Sequence, residues 1–160
     1  FIVSLVILLT AMLLFRILND PGLMAAQRYY LEHYGVRRLW NSEYNKIKDC
    51  VMANATEIGP ITVGTDLSPE SIQYAKDFMN AFRDAGAKLA NPDPHFPVPI
   101  YWTSTSDRGV YVSAKDKDQP PSEAQALMAC LTSAKIPARM SNLVGRSRSP
   151  SPAFLTVAPY

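Results

Sequence analysis

Two histidines, two cysteines and one acid-hydroxyl cluster are the residues here whose types invite a chemical reading. His33 lies among aromatic residues, and His95 lies in a proline-rich stretch with Asp93 two residues before it. Structural zinc needs four ligands and catalytic zinc three, and no further Cys, Asp or Glu is spaced to complete either set. No metal or cofactor is therefore expected. The sequence also lacks a phosphate loop, a G-x-G-x-x-G turn, a G-x-S-x-G elbow and a helix-spaced histidine pair. With no activated nucleophile in view, no catalytic residue is assigned, and the reading is a protein that is not an enzyme.

Cys50 and Cys130 each have apolar neighbours in helix-like surroundings, which predicts two buried free thiols. A bridge between them would require an oxidising compartment, and nothing else in the sequence requires one. Thr65, Asp66 and Ser68 form the remaining candidate, around a strand-to-helix junction. Backbone N–H groups at a helix start can hold an anion, and strand ends in α/β folds often face ligands. The same residues serve equally well as a helix cap. Asn54-Ala55-Thr56 is a glycosylation sequon, of consequence only outside the cytoplasm. Arg146 and Arg148, interleaved with serines and prolines, read as a solvated linker.

Positioning these groups falls to a small α/β domain over residues 58–160. Ile61–Thr65 is a short β-branched strand. Ser68 as N-cap, Pro69 in the first turn and Glu70 at the positive end open a helix, and Gly86 stops it. Ile72, Ala75, Phe78, Met79 and Phe82 give that helix an apolar face. Ala87–Leu89 begins another strand, but the four prolines within Asn91–Pro99 exclude regular structure there. Ile100–Thr103 resumes an extended pattern, and Gly109–Ala114 is the clearest strand. Ser122 with Gln125 predicts an S-x-x-Q capping box, followed by Ala124, Leu127, Met128 and Leu131 as a buried stripe. Phe154–Ala158 is a last apolar strand. The order strand, helix, strand, strand, helix, strand predicts a ferredoxin-like βαββαβ domain, with both helices on one face. A small doubly wound sheet is the alternative. Each half opens with a strand, a loop and a capped helix, which hints at internal pseudo-symmetry.

Upstream, residues 1–18 read as a transmembrane helix. Phe1–Phe15 carries only Ser4 and Thr10 as polar side chains, and eighteen residues at ~1.5 Å each span roughly 27 Å of hydrocarbon. A signal peptide would show a basic leading region and a small-x-small cleavage site, and neither is seen. Asn19-Asp20-Pro21-Gly22 ends the span at the interface. Residues 19–57 are a helical connector, with a break at Gly35. Tyr29, Tyr30, Tyr34, Trp40 and Tyr44 alternate there with basic residues, as at a headgroup region or a protein contact. The partners expected are the lipid bilayer and other integral-membrane subunits, with Tyr30, Tyr34 and Trp40 as anchors. Net charge of +2, with Lys and Arg scattered, excludes nucleic acid as an expectation. Counting Arg16, Arg28, Arg37, Arg38, Lys46 and Lys48 after the span places the C-terminal domain in the cytoplasm. The resulting expectation is an accessory or assembly subunit of a membrane complex. The alternative is a membrane-tethered module that binds a ligand or peptide.

Overall fold

The computed structural model describes residues 37–66, 68–99, 109–142 and 153–158. Residues from Val36 to Tyr160 group into one compact unit, separate from Phe1–Gly35. The expected span, Tyr30, Tyr34, the Gly35 break, Ile100–Thr103 and the arginine-serine stretch lie outside the described residues. Among those described, no helix is long and apolar enough to cross a membrane.

The chain runs through α1 (Asn41–Ala53), α2 (Ala55–Ile58), β1 (Ile61–Thr65), α3 (Pro69–Asp84) and β2 (Val98–Pro99). It continues through β3 (Gly109–Ala114), α4 (Ser122–Ser133), β4 (Ala138–Asn142) and β5 (Ala153–Ala158). The five strands form one mixed sheet in the order β2-β1-β5-β3-β4. β1 is parallel to β2 and to β5, β3 is parallel to β4, and β3 is antiparallel to β5. Two β-α-β units, β1-α3-β2 and β3-α4-β4, therefore lie head to tail, with β5 closing the seam between them.

This order differs from the ferredoxin-like expectation in two ways. Each helix joins strands that are direct neighbours, and a fifth strand occupies the centre. The cause is β4. Ala-Arg-Met-Ser-Asn has no β-branched residue and is only half-buried, because it is an edge strand with one neighbour. With β4 supplying the return of the second unit, Phe154–Ala158 becomes the central strand instead of the fourth. Regular pairing also enters the proline stretch, where Gly64 pairs with Val98 and Thr65 with Pro99. Proline is tolerated there because β2 is the opposite edge and need not donate outward.

Register explains which face carries the core. Val63, Leu155, Val112 and Met140 share one row across the sheet, and they join the cluster that includes Phe78, Phe82, Leu127 and Leu131. α3 lies on β1 and β5, while α4 lies on β3, β4 and β5. α1 packs on both helices, so α3 and α4 cover the same face, as right-handed crossovers require. α1 makes a third layer through Ile47 and Val51, with Leu39 just ahead of it.

Both sheet helices end in the same way. After α3, Gly86 N–H donates to Arg83 C=O and Ala87 N–H to Phe82 C=O. After α4, Lys135 N–H donates to Thr132 C=O and Ile136 N–H to Leu131 C=O. Each is a Schellman closure, which needs a left-handed residue: Gly86 at φ 76° and Lys135 at φ 62°. A side chain in that conformation is strained, so Lys135→Gly should stabilise the fold by about 1 kcal/mol, read as a raised denaturation midpoint. A lower midpoint would contradict the assigned cap. At the other end of α4, the expected capping box is corrected. Pro121 is the N-cap, Ser122 is the first helical residue, and the Gln125 amide donates to Pro120 C=O at 2.7 Å.

Candidate functional site

Thr65, Asp66 and Ser68 do come together, and every contact among them serves the start of α3. Asp66 Oδ1 accepts from the Ser68 N–H at 3.3 Å, the Ser68 hydroxyl at 3.1 Å and the Thr65 hydroxyl at 3.3 Å. Ser68 Oγ in turn accepts from the Ser71 N–H at 3.3 Å and lies 2.8 Å from Ser71 Oγ. The Ser68 and Ser71 N–H groups at the helix start are thus engaged by the chain's own oxygens. Glu70 adds a second carboxyl beside Asp66. Burial raises its pKa, Arg37 lowers it, and Asp66 raises it. What this arrangement does chemically is cap a helix at the carboxyl edge of β1.

Arg37 occupies the same edge. Its guanidinium carbon sits 4.2 Å from the centroid of the Tyr74 ring, and Nη1 donates to Ala158 C=O at 3.5 Å. Arg38 Nε donates to Asp77 Oδ2 at 2.7 Å, and Leu39 N–H donates to the same oxygen at 3.0 Å. Asp77 is buried in the middle of the α3 core face. A carboxylate so placed must be paired, and here it hooks the chain entering α1 onto α3. The hydrogen bond with Asp77 is also the main reason that the Arg38 pKa is raised. Sequence reasoning passed over Asp77. The signal was an acid set among Tyr74, Phe78 and Ala81, where an apolar residue would be expected.

The anchor expected at Trp40 proves to be the N-cap of α1, partly exposed. Glu43 Oε2 reaches back to accept from its backbone N–H at 3.0 Å, which is one arm of a capping box. Tyr44 turns inward, and its hydroxyl donates to Asp84 Oδ2 at 2.5 Å. Burial first, then that hydrogen bond, pushes the Tyr44 phenol up to about 12 from its ordinary 10.0. A phenol raised on folding contributes stability that is complete below its unfolded value and is lost as pH rises through the folded one. Stability should therefore fall between about pH 10 and about pH 12, and Tyr44→Phe should flatten that loss in alkaline denaturation curves. An unchanged slope in the variant would assign the loss elsewhere.

His95 has one partner in the loop and one on α3: its backbone N–H donates to Asp93 Oδ1 at 2.7 Å, and Arg83 Nη1 at the end of α3 donates to its Nδ1 at 3.0 Å. Asp93 thus shapes a turn with His95. Among the described residues, no three His, Cys, Asp or Glu side chains cluster as metal ligands do. Asn91 is a residue that sequence reasoning missed. Its amide accepts from Val63 N–H and donates to Val63 C=O, both at 2.8 Å, so the side chain stands in for a strand residue between Leu89 and β2. On the sheet face away from the helices, the Ser113 hydroxyl meets Ser141 at 2.9 Å and Thr156 at 3.4 Å. Thr62 Oγ1 is buried on that face and has no hydrogen-bond partner among the described residues.

The cysteines overturn the expectation of free thiols. Cys50 and Cys130 are joined as a disulfide, with Cα atoms 5.5 Å apart and a sequence separation of 80. The bond ties α1 to α4, and the sulfur of Cys130 lies wholly in the core. The apolar surroundings that read as a home for thiols are those of a bridge that is half-buried at Cys50 and fully buried at Cys130. Comparison with protein-family models, with curated proteins and with solved structures finds no match to this chain.

Proposed function

We propose that this chain is a non-enzymatic, single-pass membrane protein that serves as an accessory or assembly subunit of a larger integral-membrane complex. The observation that carries this reading is how α1 is fastened. Apolar packing by Leu39, Ile47 and Val51, the Asp77 hook on Arg38 and Leu39, and the Cys50–Cys130 bond hold it at three points. This fastening makes α1 part of the folded domain, so that the preceding chain enters the domain at a fixed point, which suits a subunit with contacts at both its span and its domain. The apolar sequence of Phe1–Phe15 supplies the bilayer contact. A span whose polar groups are only Ser4 and Thr10 associates mainly by shape, since lipid competes equally for its surface. Tyr30, Tyr34 and Trp40 would then add the specificity that the span lacks, as aromatic anchors of protein contacts commonly do.

The test is the double substitution Tyr34→Ala with Trp40→Ala in the full chain, extracted from its own membranes in mild detergent. Loss of most of the co-purifying membrane subunits is expected, since each such anchor carries about 2 kcal/mol or more. Unchanged recovery of the same subunits would mean that these rings only sit among headgroups.

A further inference from the structure

We infer that the folded domain lies on the oxidising side of the membrane, so that the chain enters the bilayer from a cytoplasmic flank and carries its C-terminal domain outside. This reverses the orientation expected from charge. The membrane orientation rests on the anchor reading above, whereas the compartment rests on the disulfide alone.

Cys50 and Cys130 are the chain's two cysteines, and the fold brings them together across 80 residues of sequence from two different helices. Their Cα separation of 5.5 Å falls at the centre of the range that a disulfide spans. The bond also lies where the fold has most use for it. Among the described elements α1 is the outermost layer, and its fully buried apolar side chains are only Ile47 and Val51. A covalent link to α4 supplies the attachment that so narrow an apolar face does not. Such a link persists in secreted, periplasmic or surface compartments, whereas cytosolic reductants hold paired thiols open.

Charge does not oppose this placement once the fold is known. Arg37 and Arg38 belong to the domain, one stacked on Tyr74 and the other paired with Asp77. Lys46 and Lys48 lie on α1, further from the span than the tendency reaches. Arg16 and Arg28 are the basic residues left before the domain begins, and two do not fix an orientation.

Formation of the bond needs an oxidant, which would be a disulfide-bearing thiol oxidase of that compartment. The thiolate of one cysteine attacks the oxidant's disulfide, giving a mixed disulfide and expelling one oxidant thiol. The second cysteine then attacks the mixed disulfide and expels the other. Two protons and two electrons pass from the cysteine pair to the oxidant, which leaves as a dithiol.

Cells expressing the full chain provide the test. They are quenched in acid, denatured and treated with a maleimide-bearing polyethylene glycol, with or without prior reduction. The inference expects no adduct before reduction and two afterwards; two adducts without reduction would overturn it. Alkaline phosphatase fused after Tyr160 is expected to be active, and an inactive, intact fusion would likewise overturn the placement. An alkaline carbonate wash separates the two readings. Release of oxidised protein into the wash would sink the membrane anchor while leaving the compartment supported.

Discussion

Phe82→Ala should lower the unfolding free energy by about 3–5 kcal/mol, and Leu131→Ala by about 2–5 kcal/mol. Both side chains are fully buried, one from each helix that covers the sheet. Phe82 continues an aromatic row along α3, with the Phe78 ring 6.1 Å away and Tyr74 set edge-on to Phe78 at 4.9 Å. With the side chain fully buried in the core cluster, removing the ring leaves a cavity there, so the cost should fall in the upper part of the range. Denaturant titration of the wild type and the variants in the same detergent measures it. Shifts below about 1 kcal/mol for both would mean that α3 and α4 present other faces to the sheet.

Reducing the Cys50–Cys130 bond should cost about 2–5 kcal/mol. In the chain-entropy account the effect grows with the length of chain enclosed, and here the cysteines stand 80 residues apart. β1, β2 and β3 lie within that loop while β4 and β5 follow it, so opening the bond frees a long stretch of the unfolded chain. Locally it releases α1 from α4 and leaves α1 on the Asp77 hook and its apolar contacts. Melting curves with and without reductant, compared with a Cys50→Ala, Cys130→Ala double variant, check both effects. The variant should melt like the reduced protein and ignore reductant. A reduced protein that melts with the oxidised one would show the bond to be stabilising nothing.

Much of this architecture is written locally. Ile61–Thr65 and Gly109–Ala114 stand as strands over the bounds that their β-branched and apolar residues predict, and α3 begins at Ser68 and closes at Gly86 as its caps dictate. These are short-range choices, made by residues within a turn of one another. The features that escaped are set by distant partners. β4 looks polar because half of it faces outward at an edge, and only its pairing with β3 makes it a strand. Pro99 reads as a breaker until an edge position is found for it. Asn91 and Asp77 gain meaning only from Val63 and Leu39, 28 and 38 residues away. The disulfide is of the same kind, since apolar neighbours describe a buried thiol and a buried bridge alike. At the candidate site, Thr65, Asp66 and Ser68 were legible as a cluster because they are adjacent in sequence, and so was the capping role they perform.

The most direct measurement of the central claim is the composition of the particle that contains this chain. Membranes are solubilised in mild detergent, and the full chain is isolated under conditions that keep complexes intact. Mass and subunit content are then determined together. The account predicts an assembly in which this chain is present at fixed stoichiometry with other integral-membrane proteins. A particle consisting of this chain alone in its detergent belt would contradict it.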